Sequence, residues 1–73
     1  MSTTTAVRQE LNRLFSASVI TEKEFGDLLT YTSKNPDKIS DLQDSLGYGT
    51  DGVKAVYLRN ILAGMSLNNR SIN

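Results

Sequence analysis

Apolar residues along this chain recur at the spacing of one helix face, and no segment alternates with the period of two that a half-buried strand requires. In the first segment Val7, Leu11, Leu14, Phe15 and Ser18 fall at i, i+4, i+7, i+8 and i+11, which predicts a helix over about 5–17. Thr4 or Thr5 can cap it, because a hydroxyl accepts from an unpaired amide of the first turn. The second helix, about 22–33, has the clearest start. Thr21-Glu22-Lys23-Glu24 forms a capping box, with Ile20 before the cap and Phe25 after it in the positions of a hydrophobic staple. Phe25, Leu28, Leu29 and Thr32 then make its inward stripe.

Asn35-Pro36-Asp37 predicts a third helix over 36–46, with Asn35 as cap, proline at the first helical position and Asp37 complementing the dipole. Ile39, Leu42 and Leu46 face inward, and Gly47 is expected to end the helix in a left-handed cap. Thr50 and Asp51 open a fourth helix, about 51–65, whose wheel is apolar nearly all round. Only Lys54, Arg59 and Asn60 interrupt Val53, Val56, Tyr57, Leu58, Ile61, Leu62, Ala63 and Met65. A helix without a clean polar side is either central to its own fold or partly covered by another chain. The polar residues 66–73 are expected to fray into a disordered tail. The result is one all-α domain, a compact bundle of four short helices with short connections.

At 73 residues the chain is long enough for one core and no more. A domain of this size buries only about 60% of its unfolded surface. With no cysteine and no histidine it lacks disulfides and the usual metal ligands, so helix packing or a partner must supply the stability. Eight bases balance eight acids. No global field therefore draws the chain to nucleic acid or an anionic membrane. The charges are nevertheless segregated. Residues 22–51 carry seven acids (Glu22, Glu24, Asp27, Asp37, Asp41, Asp44, Asp51) against Lys23, Lys34 and Lys38, a net of −4, and the flanks carry +4. No apolar leader or membrane-length run occurs in the sequence, so a cytoplasmic location is expected.

Several chemistries can be weighed against these residues. Gly47-Tyr48-Gly49-Thr50-Asp51-Gly52 spells G-x-G-x-x-G, but it follows a helix instead of a strand, and Asp51 would repel a phosphate. No cofactor is expected. Asp41, Asp44 and Asp51 lack calcium-loop spacing, and no metal site is expected. The carboxylate pairs Glu24/Asp27 and Asp41/Asp44 lie on solvated faces where pKa shifts are small. No catalytic residues are assigned, and the chain is expected not to be an enzyme.

A small non-enzymatic protein-binding regulator or inhibitor is the expectation that remains, adaptor-like and of the accessory kind carried by phages and mobile elements. Two surfaces are candidates. One is the apolar surplus of the last helix, Val56, Leu58, Leu62 and Met65 with Tyr48 and Tyr57 nearby; methionine and aromatics favour interface cores. The other is the acidic stripe Asp37, Asp41, Asp44 at i, i+4, i+7, which would steer a basic partner.

Two alternatives stand beside it. Residues 39–58 have the rhythm of a DNA-binding helix-turn-helix, with Leu42 and Leu46 anchoring the first helix, Gly47 the turn, and Val53 and Val56 the inner side of the second. That arrangement would bring only Lys54 and Arg59 to phosphates, beside an acidic helix. A self-assembling structural subunit, as a homodimer or larger, would use the last helix on itself.

Overall fold

The computed structural model describes residues 3–72, with side chains described from 3 to 65. Its elements are α1 (Thr3–Ser16), α2 (Glu22–Lys34), a 3-10 turn (Pro36–Lys38), α3 (Ile39–Leu46) and α4 (Asp51–Ile72). The chain is all-α, and among the described residues there is no strand. The tail expected to fray over 66–73 falls where side chains, and Asn73 altogether, lie outside the described residues.

α1 packs chiefly on α3 and then on α2, while α2 also supports α4. Each helix contributes one stripe to a shared centre. Val7, Leu11 and Leu14 come from α1, Leu28 from α2, Ile39, Leu42 and Leu46 from α3, and Leu58 from α4. Ile20, just before α2, completes the set. The rings of Phe15 and Phe25 stack at 4.9 Å and 5° on the flank, joining α1 to α2. The one buried polar residue among those described, Thr32, donates its hydroxyl hydrogen to Leu29 O at 2.8 Å, so its burial leaves no orphan donor.

The helix ends follow the expected chemistry with four corrections. α1 already begins at Thr3, so Thr4 and Thr5, expected to cap it, lie within its first turn. At α2 the capping box forms in full: the Thr21 N–H donates to Glu24 Oε1 at 2.8 Å, and the Glu24 N–H donates to Thr21 Oγ1 at 3.1 Å. Ser18, expected on the inward face of α1, instead lies beyond its end at φ 62° and is exposed. The Val19 N–H reaches Leu14 O at 2.9 Å and the Ser18 N–H reaches Phe15 O at 3.0 Å, a Schellman closure with serine in the left-handed position.

Asn35 does not cap α3. Its backbone N–H and side-chain Nδ2 both donate to Tyr31 O, at 2.9 and 3.1 Å, so it terminates α2 instead. The first turn expected of the third helix is accordingly the tighter 3-10 turn. Gly47 ends α3 in a right-handed conformation, φ −82°, and the left-handed residue is Gly49 at φ 84°. Gly49 reverses the chain so that Thr50 can cap α4, its Oγ1 accepting from the Val53 N–H at 3.3 Å.

A non-glycine left-handed residue costs about 1–2 kcal/mol. Ser18→Gly should therefore raise unfolding stability by about 1 kcal/mol, read as a higher urea midpoint at unchanged slope.

Candidate protein-docking surface

Which residues of α4 face outward depends on what fixes its rotation. Ala55 and Leu58 are buried, and Leu58 is 0% exposed. Ile61 and Leu62 pack half-buried against the same centre. Charged side chains on the flanks of the helix then tie it to its neighbours. Lys54 Nζ meets Glu10 Oε2 at 3.0 Å, and Arg13 bridges Glu10 at 2.7 Å and Asp51 at 2.9 Å. On the other flank Arg59 Nε donates to Glu24 Oε2 at 3.0 Å, and its Nη2 donates to Val19 O at 3.2 Å. These ties hold the amino-terminal half of α4 against α1 and the α1–α2 turn.

The ion pairs shift the acids involved. Hydrogen bonds from Arg13 and Lys54 hold the Glu10 carboxyl down to about 2. The Thr21 amide, with Arg59, lowers Glu24, and Arg13 lowers Asp51. Every one of these groups is occupied within the fold.

With that rotation, Val53 and Val56 point to solvent, 61% and 59% exposed, and Tyr48 in the preceding turn is 78% exposed. The Gly49 backbone abuts Val53: a Cβ placed on that glycine would lie 3.4 Å from Val53 Cγ1. Gly52, Asn60 and Ala63 are the other exposed residues on this side. Arg59 is its one charge between Gly52 and Met65, and that guanidinium is folded back onto Glu24 and Val19. The outward sides of the other helices differ. α1 shows Arg8 and Arg13, α2 shows Glu22, Lys23 and Lys34, and α3 shows Asp41 and Asp44.

The residues expected to form the apolar contact are thus divided by the fold. Tyr48 and Val56 are fully available. Tyr57, Leu62 and Met65 are half-buried. Leu58 is enclosed in the core and has no surface to offer, a correction with a simple cause, since it lies opposite the two valines on the helix. Val53 was missed as a surface residue. Its signal was present, because Val53, Val56, Asn60 and Ala63 repeat at i, i+3, i+7 and i+10, but Ala55, Leu58, Leu62 and Met65 repeat identically on the opposite face.

The carboxylates of Asp37, Asp41 and Asp44 have no ion-pair or hydrogen-bond partner among the described residues, and all three residues are exposed. The acids Glu24 and Asp27 of α2 are instead engaged, Glu24 in its cap and Asp27 with Lys23 at 2.8 Å. The helix-turn-helix arrangement also changes. Its inner side is Ala55 and Leu58 in place of Val53 and Val56, and Lys54, with 13% of its side chain exposed, and Arg59 are held by carboxylates. A phosphate would have to displace those partners.

A shallow pocket of about 160 Å³ lies between α1 and α3, lined by Ala6, Val7, Glu10, Gln43, Leu46 and Gly47. It is below the ~300 Å³ at which small-molecule sites begin. Among the described residues no three acids gather as a metal site would require, and no helix is long and apolar enough to cross a membrane. No protein family, curated protein or solved structure matches the chain.

Glu10 gives the electrostatic ties a pH signature. Its folded pKa lies below the unfolded value, so the unfolded chain takes the proton first on acidification. The stabilisation is complete above 4.5 and is lost as pH falls toward about 2. Glu10→Gln should cost roughly 1 kcal/mol at neutral pH after solvent screening, and should flatten the dependence of thermal stability on pH within that acid window.

Proposed function

We propose that this chain is a non-enzymatic protein-binding regulator that docks a protein on the outward face of α4. The observation that carries this reading is the exposure of Val53 and Val56 on a helix side whose one charge is paired with Glu24, with Tyr48 exposed in the preceding turn. Exposed apolar side chains gain roughly 25 cal/mol for each Å² removed from water. The other three helices offer charged outward sides with no comparable gain. Contiguous apolar surface on a small protein, rimmed by polar residues, is the common mark of a contact site.

The acidic α3 supports a complementary role. Asp41 and Asp44 stand close in sequence to the turn carrying Tyr48, and Asp37 begins the same stripe. Free carboxylates there speed encounter with a basic partner and orient it, while the apolar residues supply the holding energy. The partner suited to this surface is a protein with an apolar ridge or groove beside a basic segment.

The test separates docking from folding by residue. Val53→Asp and Val56→Asp should leave the melting temperature within a few degrees of the parent, because both side chains are exposed. They should abolish capture of a partner by the immobilised protein. Asp41→Asn/Asp44→Asn should slow association and reduce its salt dependence without abolishing capture. Leu58→Ala, by contrast, should destabilise the fold by about 3 kcal/mol through the cavity it leaves. Undiminished capture by both aspartate variants would place the contact elsewhere.

A further inference from the structure

We infer that the Asp51–Gly52 bond at the start of α4 is a site of spontaneous backbone modification, rearranging to isoaspartate through a succinimide, and that the Arg13 guanidinium holds it in check. The chemistry needs a carboxyl group and the amide nitrogen of the next residue. Of the aspartates, Asp27, Asp37, Asp41 and Asp44 precede leucine, lysine, leucine and serine, whose side chains crowd that nitrogen. Asp51 alone precedes glycine, which has no Cβ to obstruct the approach. No asparagine precedes glycine.

The surroundings of the bond leave it open to reaction. Asp51 has 43% of its side chain exposed, and Gly52 is exposed. The amides of a first helical turn lack intrahelical partners. Thr50 Oγ1 takes the Val53 N–H at 3.3 Å, while the Gly52 N–H has no hydrogen-bond partner among the described residues. The nucleophilic nitrogen is therefore untied. A helical backbone does not aim it at Asp51 Cγ, so the reaction waits on fraying of this turn, and helix ends open at low cost. One long cap bond and the left-handed Gly49 before it favour such opening.

The step balances within the chain. Gly52 N bonds to Cγ of the protonated carboxyl and gives up its proton, and the hydroxyl departs with that proton as water. Water then opens the ring. Attack at the side-chain carbonyl restores aspartate, while attack at the main-chain carbonyl leaves the backbone running through Cβ and Cγ at unchanged mass. Arg13 opposes this from α1. Its Nη2 donates to Asp51 Oδ1 at 2.9 Å and its Nη1 to Oδ2 at 3.5 Å, which pins both oxygens and favours the ionised form, a poor leaving group. Once formed, isoaspartate displaces the carboxylate from Arg13 and distorts the Thr50 cap. The start of α4 then keeps Lys54 on Glu10 as its tie to α1.

The experiment holds the full chain at neutral pH and body temperature for several weeks, then digests it with trypsin. Electron-transfer fragmentation separates aspartate from isoaspartate at each position of the peptide 39–54, which also contains Asp41 and Asp44. Isoaspartate should accumulate at residue 51 well above either of those. Gly52→Ala, whose Cβ would meet Thr50 Oγ1 at an ordinary 3.8 Å, should slow the reaction several-fold. Arg13→Gln should speed it several-fold. Glu10→Gln removes neighbouring ties but leaves Arg13 to Asp51, and should stay near the parent rate. The isoaspartyl form, isolated by chromatography, should melt below the parent. Isoaspartate no more abundant at 51 than at 41 and 44, or undiminished in Gly52→Ala, would overturn the site. An unchanged rate in Arg13→Gln, or equal acceleration in Glu10→Gln, would overturn the restraint by Arg13.

Discussion

The rotation of α4 about its own axis is the constraint from which the surface of this protein follows. A helix that is apolar nearly all round has no amphipathic phase of its own to say which side goes in. Leu58 settles that by filling the space between the leucines of α1, α2 and α3, where it is fully enclosed. Lys54 on Glu10 and Arg59 on Glu24 then restrain the helix from both flanks. Apolar burial supplies most of the free energy. The partly exposed ion pairs add little energy but select one rotation among several that would bury similar apolar area.

Once that rotation is set, the exposed residues divide by chemistry. The cations of the interior ties are spent within the fold, and the acids of α3 are left without partners among the described residues. Tyr48, Val53 and Val56 stay outside because no element of the bundle packs over that side of α4. A chain of this size has few helices with which to cover one another, and its last helix keeps an uncovered side. The docking role proposed above draws on both features, the exposed valines on α4 and the exposed aspartates on α3.

Much of the architecture was legible from local rules, because those rules act within a few residues. The capping box at Thr21 and Glu24 formed as its spacing required, and the inward stripes of α1, α2 and α3 had one unambiguous phase each. The misreadings were also local, at ends where two caps compete for one residue. Asn35 could serve the helix before it or the helix after it, and its Nδ2 donates back to Tyr31 O while its side chain makes no cap bond to the turn that follows. Of Gly47 and Gly49, the second took the left-handed conformation because the turn reverses there. Ser18 took a position that usually needs glycine, since the Schellman bonds and the burial of Val19 against the core outweigh its strain.

The contact surface divides along the same line. The acidic stripe on α3 was readable without coordinates, because three aspartates at i, i+4 and i+7 opposite Ile39, Leu42 and Leu46 can only face water. The apolar strip on α4 was not, because two opposite faces of that helix carry the same i, i+3, i+7, i+10 repeat. By itself the sequence determined that four helices form, where three of them point, and that the fourth is apolar nearly all round. Only the tertiary structure decided that Leu58 belongs inside and Val53 and Val56 outside. That choice depends on the shape of the space left by the other three helices, and on carboxylates that lie far away in sequence.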